Sequence, residues 1–277
     1  MKGLWVTVLL CVLLGQHVAP HQRATEPMDP ATTITITYLA NEGVFLSDGS
    51  SGVLIDSLFR EGVEGYARLA PDVLEAVETA AAPFDSTRLV LVTHRHRDHF
   101  QADSVARHMQ HNTRAMLVAP ANAAELVEAA ARDFASFRDR ARFLPPPRDS
   151  VVTVHHAGLS VEVFFVSHGQ GRFAKVENLG YVVTIGGKRV LHLGDAELGD
   201  GAYDPVKRFA NKIDIACVPY WWLVTRSGRE CVAAAFPDAR LVAIHIEPAK
   251  AARITEQIKK HFPDAIVLTT PLLSARF

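Results

Sequence analysis

A strong excess of charge of either sign is absent from this sequence. Its 29 Lys and Arg residues are balanced by 30 Asp and Glu residues, which leaves a formal net charge of -1 over 277 residues. Proteins that bind nucleic acids usually present a basic patch, because the phosphate backbone attracts Lys and Arg. The composition therefore argues against a nucleic-acid partner.

The N-terminus lacks an apolar run long enough for a comfortable membrane span, which takes about 20 residues. Residues 4–14 are mostly apolar, Lys2 precedes them, and the small residue Ala19 follows shortly after. This pattern is typical of a secretory signal peptide; the alternative is an uncleaved interfacial anchor. We expect residues 1–19 to be removed, residues 20–31 to form a flexible leader, and residues 32–277 to form a single domain without a stable membrane span. The protein would then be periplasmic or secreted.

Cysteine is scarce, with three residues in the chain. Removal of residues 1–19 would leave only Cys217 and Cys231. A disulfide between them is an option in an oxidising compartment. Cys217 lies in an apolar predicted strand and Cys231 in a predicted helix, so we expect two separate thiols.

What the sequence does contain is a series of short apolar runs separated by turns. Alternation at residues 33–38, with turns at 41–43 and 48–49, predicts an antiparallel meander. Further strands are predicted at residues 89–92, 115–118, 151–155, 159–166, 181–186, 189–193, 213–218, 240–245 and 264–268. Helices are predicted at residues 71–81, 102–109, 121–138, 228–235 and 249–261. Two halves that each run from strands to helices predict an α/β four-layer αββα sandwich.

Residues 93–99 read Thr-His-Arg-His-Arg-Asp-His and directly follow the apolar run at 89–92. Imidazole and carboxylate groups are the ligands that suit zinc and related ions. In an extended segment His94 and His96 point the same way, whereas Asp98 and His99 follow a turn and can face a second ion. Residues 93–99 therefore predict a metal-binding loop at the end of a strand.

Among the other histidines, His108 and His111 are predicted to be surface residues and His192 a core residue.

The spacing His-x-His-x-Asp-His after an apolar strand resembles the signature of the metallo-β-lactamase fold. In that family the remaining ligands are a His, an Asp and a His on later loops. His168, Asp195 and His245 match them, since each follows an apolar predicted strand. The resemblance spans about residues 33–268 and implies the same four-layer fold.

The resemblance also implies a ligand set and a mechanism. One ion would be held by His94, His96 and His168, the other by Asp98, His99 and His245, and Asp195 would bridge both. Two divalent ions, Zn²⁺ first and Mn²⁺ or iron as alternatives, would share a hydroxide that attacks the substrate. Asp98 would act in catalysis by orienting the hydroxide or accepting its proton. Asp56, at the end of another apolar strand, would support the metal loop.

The ligand set resembles those of some branches of the family more than those of others. His at position 99 excludes the β-lactamases with an Asp-Cys pair, and a bridging Asp is typical of lactonases, thioesterases and phosphodiesterases. The branch holding ascorbate-6-phosphate lactonase and the N-acylphosphatidylethanolamine-hydrolysing phospholipase D has the most similar phrases. These are Asn178-Leu179-Gly180-Tyr181, residues 188–195, and His245-Ile246-Glu247-Pro248.

Candidate substrate contacts rest on weaker patterns. The aromatic run Tyr220, Trp221 and Trp222 follows a predicted strand and either walls the pocket or packs in the core. Arg172 and Lys175 follow His168 and either bind an anionic group or remain solvated.

The function that this resemblance implies is hydrolysis of an ester, a lactone or a phosphodiester in a small-molecule substrate. The alternatives are a phospholipase D-like phosphodiesterase, an iron redox enzyme and a non-catalytic metal-binding protein. The sequence does not specify the oligomeric state.

Overall fold

The computed structural model describes residues 33–198 and 204–277, and Ala31–Phe277 forms one compact unit. The expected signal peptide at 1–19 and leader at 20–31 lie outside the described residues. Within the described ranges, no helix is both long and apolar enough to cross a membrane.

Fourteen strands and seven α-helices can be assigned within the described residues. The strands are β1 (Thr35–Ala40), β2 (Gly43–Ser47), β3 (Gly52–Ile55), β4 (Thr87–Leu91), β5 (Met116–Pro120), β6 (Ala141–Leu144), β7 (Val152–His156), β8 (Leu159–Phe165), β9 (Leu179–Ile185), β10 (Lys188–His192), β11 (Ile215–Pro219), β12 (Arg240–Ile244), β13 (Ile266–Val267) and β14 (Ser274–Arg276). The helices are α1 (Pro71–Glu78), α2 (Ala102–His111), α3 (Ala124–Ala130), α4 (Asp204–Lys207), α5 (Trp221–Val224), α6 (Arg226–Ala235) and α7 (Ala251–His261).

The strands form two seven-stranded mixed sheets, with orders β14-β1-β2-β3-β4-β5-β6 and β13-β12-β11-β10-β9-β8-β7. The predicted meander is confirmed, because β1, β2 and β3 pair antiparallel. β3 through β6 then run parallel, as do β10 through β13. The carboxyl ends of the parallel strands of each sheet therefore lie at one edge of that sheet, where α/β folds bind ligands.

Each sheet is buried on both faces. In β4, Leu89 and Leu91 belong to the core between the sheets, whereas Val90 belongs to the core beneath α1, α2 and α3. On the other sheet, Val218 of β11 packs with residues of α6 and α7. Burial on both faces explains why these strands are continuous apolar runs. The four-layer αββα sandwich is confirmed.

The structure corrects the predicted helix at 121–138. A 3₁₀ turn precedes α3, which ends at Ala130, and Ala131 is extended. The carboxylate of Asp133 then accepts a hydrogen bond from the backbone N of Ser136, which starts a separate 3₁₀ turn. This local capping bond competes with continuation of the helix. Two short strands, β6 and β14, have no counterpart in the predicted set.

His108 was predicted to lie on the surface, and that prediction was wrong. The side chain is fully buried, and its Nδ1 donates to the carbonyl of Val77 over 2.6 Å. His111, one turn later, is exposed. His192 is buried as expected, and Cys217 and Cys231 are separate thiols.

Candidate metal centre

The candidate ligands come from segments that follow four strands. Residues 93–99 follow β4, and His168, Asp195 and His245 follow β8, β10 and β12. Gly194 turns the chain into Asp195 with φ +55°, and a Cβ there would lie 2.7 Å from the side chain of Thr93. The fold thus brings together the seven residues that the sequence proposed as ligands.

A first cluster consists of His94, His96, His168 and Oδ2 of Asp195. Nδ1 of His96 lies 3.0 Å from Nε2 of His94 and 3.2 Å from Nε2 of His168. Oδ2 of Asp195 lies 3.3 Å from Nε2 of His168 and 3.8 Å from Nε2 of His94. Ligand atoms about 2.0–2.1 Å from a tetrahedral zinc ion are about 3.3–3.4 Å apart. The spacing of the first cluster therefore fits one metal ion.

A second cluster consists of Asp98, His99, His245 and Oδ1 of Asp195. Oδ1 of Asp195 lies 3.2 Å from Nε2 of His99 and 3.0 Å from Nε2 of His245. Oδ2 of Asp98 lies 3.8 Å from Nε2 of His99 and accepts a hydrogen bond from Nδ2 of Asn41 over 3.0 Å. One carboxylate, that of Asp195, therefore presents one oxygen to each cluster.

Asp56 holds the metal loop from beneath. Its Oδ1 accepts from the backbone N of Thr93 over 2.8 Å, and its Oδ2 accepts from the hydroxyl of Thr93 over 2.5 Å and from Nδ1 of His99 over 2.8 Å. A carboxylate can only accept here, so Nδ1 of His99 carries the proton and Nε2 is left as the ligand atom. Such bonds fix the tautomer and orientation of a metal-binding imidazole.

The electrostatics of the centre favour bound cations. Burial lowers the pKa of His94 well below its usual range, so its imidazole is neutral. Burial also opposes charge on His99, but Asp195 and Asp56 outweigh it and raise the pKa of His99 well above its ordinary value. In the metal-free protein His99 is therefore protonated, and an ion bound at Nε2 would replace that proton beside the same two carboxylates. Burial opposes ionisation of Asp195, yet His245 and His99 hold its pKa well below the usual range. Asp195 is thus a carboxylate surrounded by imidazoles, which is a suitable ligand set.

Several buried polar atoms of the centre also have no hydrogen-bond partner among the described residues. They include Nε2 of His245 and Oδ1 of Asp195, which lie 3.0 Å apart without forming a hydrogen bond. A buried polar atom left without a partner costs about 1–3 kcal/mol. A metal ion held by these two atoms would compensate for the missing hydrogen bonds. Together with the ligand spacing of the first cluster, this means that the residues present fit two ions.

The sequence of residues 53–269 matches the family model described as the beta-lactamase superfamily domain. The chain belongs to the beta-lactamase superfamily. No curated protein sequence matches this superfamily member.

Solved structures share the fold of this superfamily member. Igni18, a metallo hydrolase from Ignicoccus hospitalis KIN4/I, is 15% identical with a TM-score of 0.57, covering 89% of this chain and 99% of that chain. CmlA, a diiron β-hydroxylase from Streptomyces venezuelae, is 14% identical with a TM-score of 0.52, covering 88% and 54%. Zn²⁺-bound PqqB from Methylobacterium extorquens is 14% identical with a TM-score of 0.51, covering 88% and 99%. The resemblance seen in the sequence is confirmed at the level of the superfamily.

Asn178 and Tyr181, two residues of the sequence motifs that suggested a particular branch of the family, each bond to a segment that carries ligands. Nδ2 of Asn178 donates to the carbonyl of Leu193 over 3.1 Å, which holds the segment leading into Asp195. The hydroxyl of Tyr181 donates to the carbonyl of Val92 over 2.5 Å, at the start of the metal loop. The side chains of both residues therefore bond to backbone carbonyls of the segments that carry ligands and stabilise those strand ends.

A cavity of about 250 Å³ opens beside the centre and is lined by His168, Gln170, Phe173, Asp195, Glu197 and Trp221. The ring of Phe173 stacks on His168 at 5.1 Å, and the ring of Trp221 lies edge-on to His245 at 5.0 Å. Trp221 therefore lies where the sequence proposed a pocket wall. The cavity combines aromatic walls with the polar groups of Gln170 and Glu197.

The other proposed substrate contacts lie elsewhere. Trp222 is fully buried and donates its indole N–H to the carbonyl of Ala196, which corrects its proposed place in the pocket wall. Tyr220 is half-buried, packs against Trp221 and does not line this cavity. Arg172 is exposed and lies over the ring of Phe173, and Lys175 is exposed. Neither cation lines the cavity.

Sequence reasoning missed three residues of the centre. Asn41 and Glu42 were interpreted only as part of a turn, yet the carbonyl of Asn41 accepts from the backbone N of His245 and its side chain bonds Asp98. Tyr66 packs edge-on against the ring of His245 at 4.8 Å. Burial raises the pKa of Tyr66, so its hydroxyl stays protonated and able to donate. No local pattern marks these residues, because their contacts come from distant parts of the chain.

Proposed function

We propose that this protein is a hydrolase that binds two divalent metal ions and cleaves an ester, lactone or phosphodiester bond. The observation that supports this most directly is the division of the Asp195 carboxylate between the two clusters. A single carboxylate with one oxygen in each cluster suits a pair of ions that act on the same substrate. We expect Zn²⁺ first, with Mn²⁺ or iron as alternatives.

In this proposal the first cluster holds one ion, the second cluster holds the other, and Asp195 is shared. Bound divalent ions lower the pKa of water toward neutrality and polarise the oxygen of the bond to be broken. Asp98 would orient the attacking water and accept its proton, because its carboxylate lies at the centre and is fixed by Asn41. The protonated hydroxyl of Tyr66 would donate to an oxygen of the substrate.

The cavity restricts the group that lies beside the ions. Phe173 and Trp221 would contact a small apolar or planar portion of the substrate, and Glu197 and Gln170 would bind polar hydrogens. This lining supports a carboxylic ester or lactone. A phospholipase D-like phosphodiesterase is the alternative. In that case the two ions would neutralise the phosphate, and Arg172, which lies over the ring of Phe173, would be a further cation close to the cavity.

An iron redox enzyme is a second candidate, because the structurally similar CmlA is a diiron β-hydroxylase. The metal that copurifies with the protein separates this candidate from a zinc or manganese hydrolase. A non-catalytic metal-binding protein would be expected to lose ligands, and this chain keeps all seven.

The proposal is tested by metal analysis and a substrate panel on the purified mature protein. We expect about two metal ions per chain, loss of activity after chelation, and recovery when metal is restored. The panel would contain a lactone, a thioester, a p-nitrophenyl phosphodiester and a cephalosporin, and we expect weak or absent cephalosporin turnover. His261→Ala, which removes an exposed histidine, is the control for ligand variants. A protein that binds no metal, or that hydrolyses none of these bonds with metal bound, would contradict the proposal.

We also propose that the mature protein acts in the periplasm or outside the cell. This part rests on the signal-peptide pattern of residues 1–19.

A further inference from the structure

Glu42 is a buried carboxyl group with no visible partner for its side chain. It lies between β1 and β2, its side chain is fully buried, and within the described residues neither Oε1 nor Oε2 has a hydrogen-bond partner. Another buried glutamate, Glu78, is fully engaged by comparison. It accepts from the hydroxyl of Ser104 and pairs with Arg60 and Arg107.

The carboxyl group of Glu42 lies against the second cluster. One oxygen of Glu42, one ring nitrogen of His99 and one oxygen of Asp195 all lie within 4.8 Å of one another. Burial and the neighbouring carboxylate of Asp195 raise the pKa of Glu42 well above its usual range. An unpaired buried carboxylate is strongly unfavourable unless a cation or hydrogen-bond donors compensate it. A cation at the second cluster would do so.

We propose that Glu42 is an additional carboxylate ligand of the ion held by the second cluster. This inference rests on the proposed two-ion function and refines it. The second ion would then have three carboxylates, from Asp98, Asp195 and Glu42, and two imidazoles. The first ion has three imidazoles and one carboxylate. Carboxylates suit Mn²⁺ better than imidazoles do, whereas imidazole suits zinc and iron. The two clusters should therefore differ in metal preference, with the second favouring Mn²⁺ more than the first.

The competing explanation is a neutral carboxyl group that only fills space beneath the centre. Glu42→Gln separates the two explanations, because glutamine keeps the size of the side chain and is uncharged. A space-filling neutral group would be replaced by glutamine without loss of metal. A ligand would not, since an amide is a poor substitute for a carboxylate.

The experiment is a titration of metal-free wild type, Glu42→Gln and Glu78→Gln with Mn²⁺ and with Zn²⁺ against a chromogenic chelator. For Glu42→Gln we expect the second dissociation constant to rise at least about tenfold, more for Mn²⁺ than for Zn²⁺, and the first to change by less than about threefold. Glu78→Gln is the matched control for loss of a buried carboxylate, and it should keep wild-type metal binding.

A structure of Mn²⁺-loaded wild type provides a test that does not depend on the folding of any variant. We expect an oxygen of Glu42 to lie within bonding distance of the second ion, close to the carboxylate–zinc distance of about 2.0–2.2 Å. Two ions bound by wild type, with unchanged affinities in Glu42→Gln or with Glu42 beyond bonding distance, would overturn this inference and leave the proposed function intact. Failure of wild type to bind a second ion would overturn both.

Discussion

Replacement of Asp56 by asparagine tests whether the support beneath the metal loop controls metal affinity. Asp56 accepts three hydrogen bonds, from the backbone N and hydroxyl of Thr93 and from Nδ1 of His99. An asparagine that keeps the bond to the backbone N of Thr93 places its amide NH₂ where Oδ2 of Asp56 was. That NH₂ faces the N–H of His99, so two donors oppose each other unless His99 moves its proton to Nε2, the atom needed for the ion.

The expected loss of metal affinity can be estimated from the one hydrogen bond that Nδ1 of His99 loses. A buried donor left unpaired costs about 1–3 kcal/mol, which corresponds to about a 5- to 150-fold change in an equilibrium constant at 1.4 kcal/mol per tenfold. Loss of a hydrogen-bond partner of a metal ligand costs about 10- to 100-fold in metal affinity. We therefore expect Asp56→Asn to lower the affinity of the protein for the second ion by about 10- to 100-fold. The first ion should be affected less, because Asp56 reaches its ligand His94 only indirectly, through the hydroxyl of Thr93.

The assay is a competition titration of the metal-free protein at constant pH, with circular dichroism to show that the variant is folded. Asp48→Asn is the control, because Asp48 accepts from the backbone N of Ser50 and Ser51 in an exposed turn and should leave both dissociation constants unchanged. A folded Asp56→Asn protein with wild-type affinity for both ions would refute the reasoning.

Three further predictions concern other parts of the molecule. His108→Gln should reduce the loss of folding stability in acid. Burial lowers the pKa of His108 to about 4, whereas a histidine in the unfolded chain has a pKa of about 6.5. Between these pH values the unfolded chain binds more protons, so the free energy of unfolding decreases as the pH falls through this window. Urea unfolding of metal-free protein at pH 7 and pH 5 should show wild type losing about 2 kcal/mol more than the variant, and equal losses would count against the buried neutral histidine. His245→Ala should fold but bind one ion more weakly, and Asp98→Ala should lose most turnover; wild-type metal content and activity in both would mean that the second cluster is wrongly drawn. Mature protein from the native host should begin near residue 20 on N-terminal sequencing, and cytosolic protein that retains Met1 or Lys2 would contradict export.

The fold could be predicted from the sequence because its main signals are local. Runs such as Leu89-Val90-Leu91 are apolar since the sheet is covered on both faces, and the metal motif begins where such a run ends. The candidate ligands share this feature, as His168, Asp195 and His245 all follow apolar strands. Local pattern was therefore enough to locate the metal loop and the strand ends, and the resemblance to the metallo-β-lactamase fold then selected the three later ligands among the residues that follow strands.

The residues that escaped prediction are those whose role depends on distant contacts. Asn41 reaches the centre because its carbonyl accepts from the backbone N of His245, about 200 positions later in the chain. His108 lies on a polar helix, and its burial results from the packing of α2 against α1. Trp222 is buried, although its sequence neighbour Trp221 reaches the cavity. Neither periodicity nor composition distinguishes such neighbours.

Anomalous diffraction from a crystal of the metal-loaded protein tests the two-ion centre most directly. We predict two metal peaks that flank the carboxylate of Asp195. The first cluster would surround one peak on the side of Oδ2, and the second cluster would surround the other on the side of Oδ1. A single peak, or two peaks of which only one contacts Asp195, would contradict the two-ion centre.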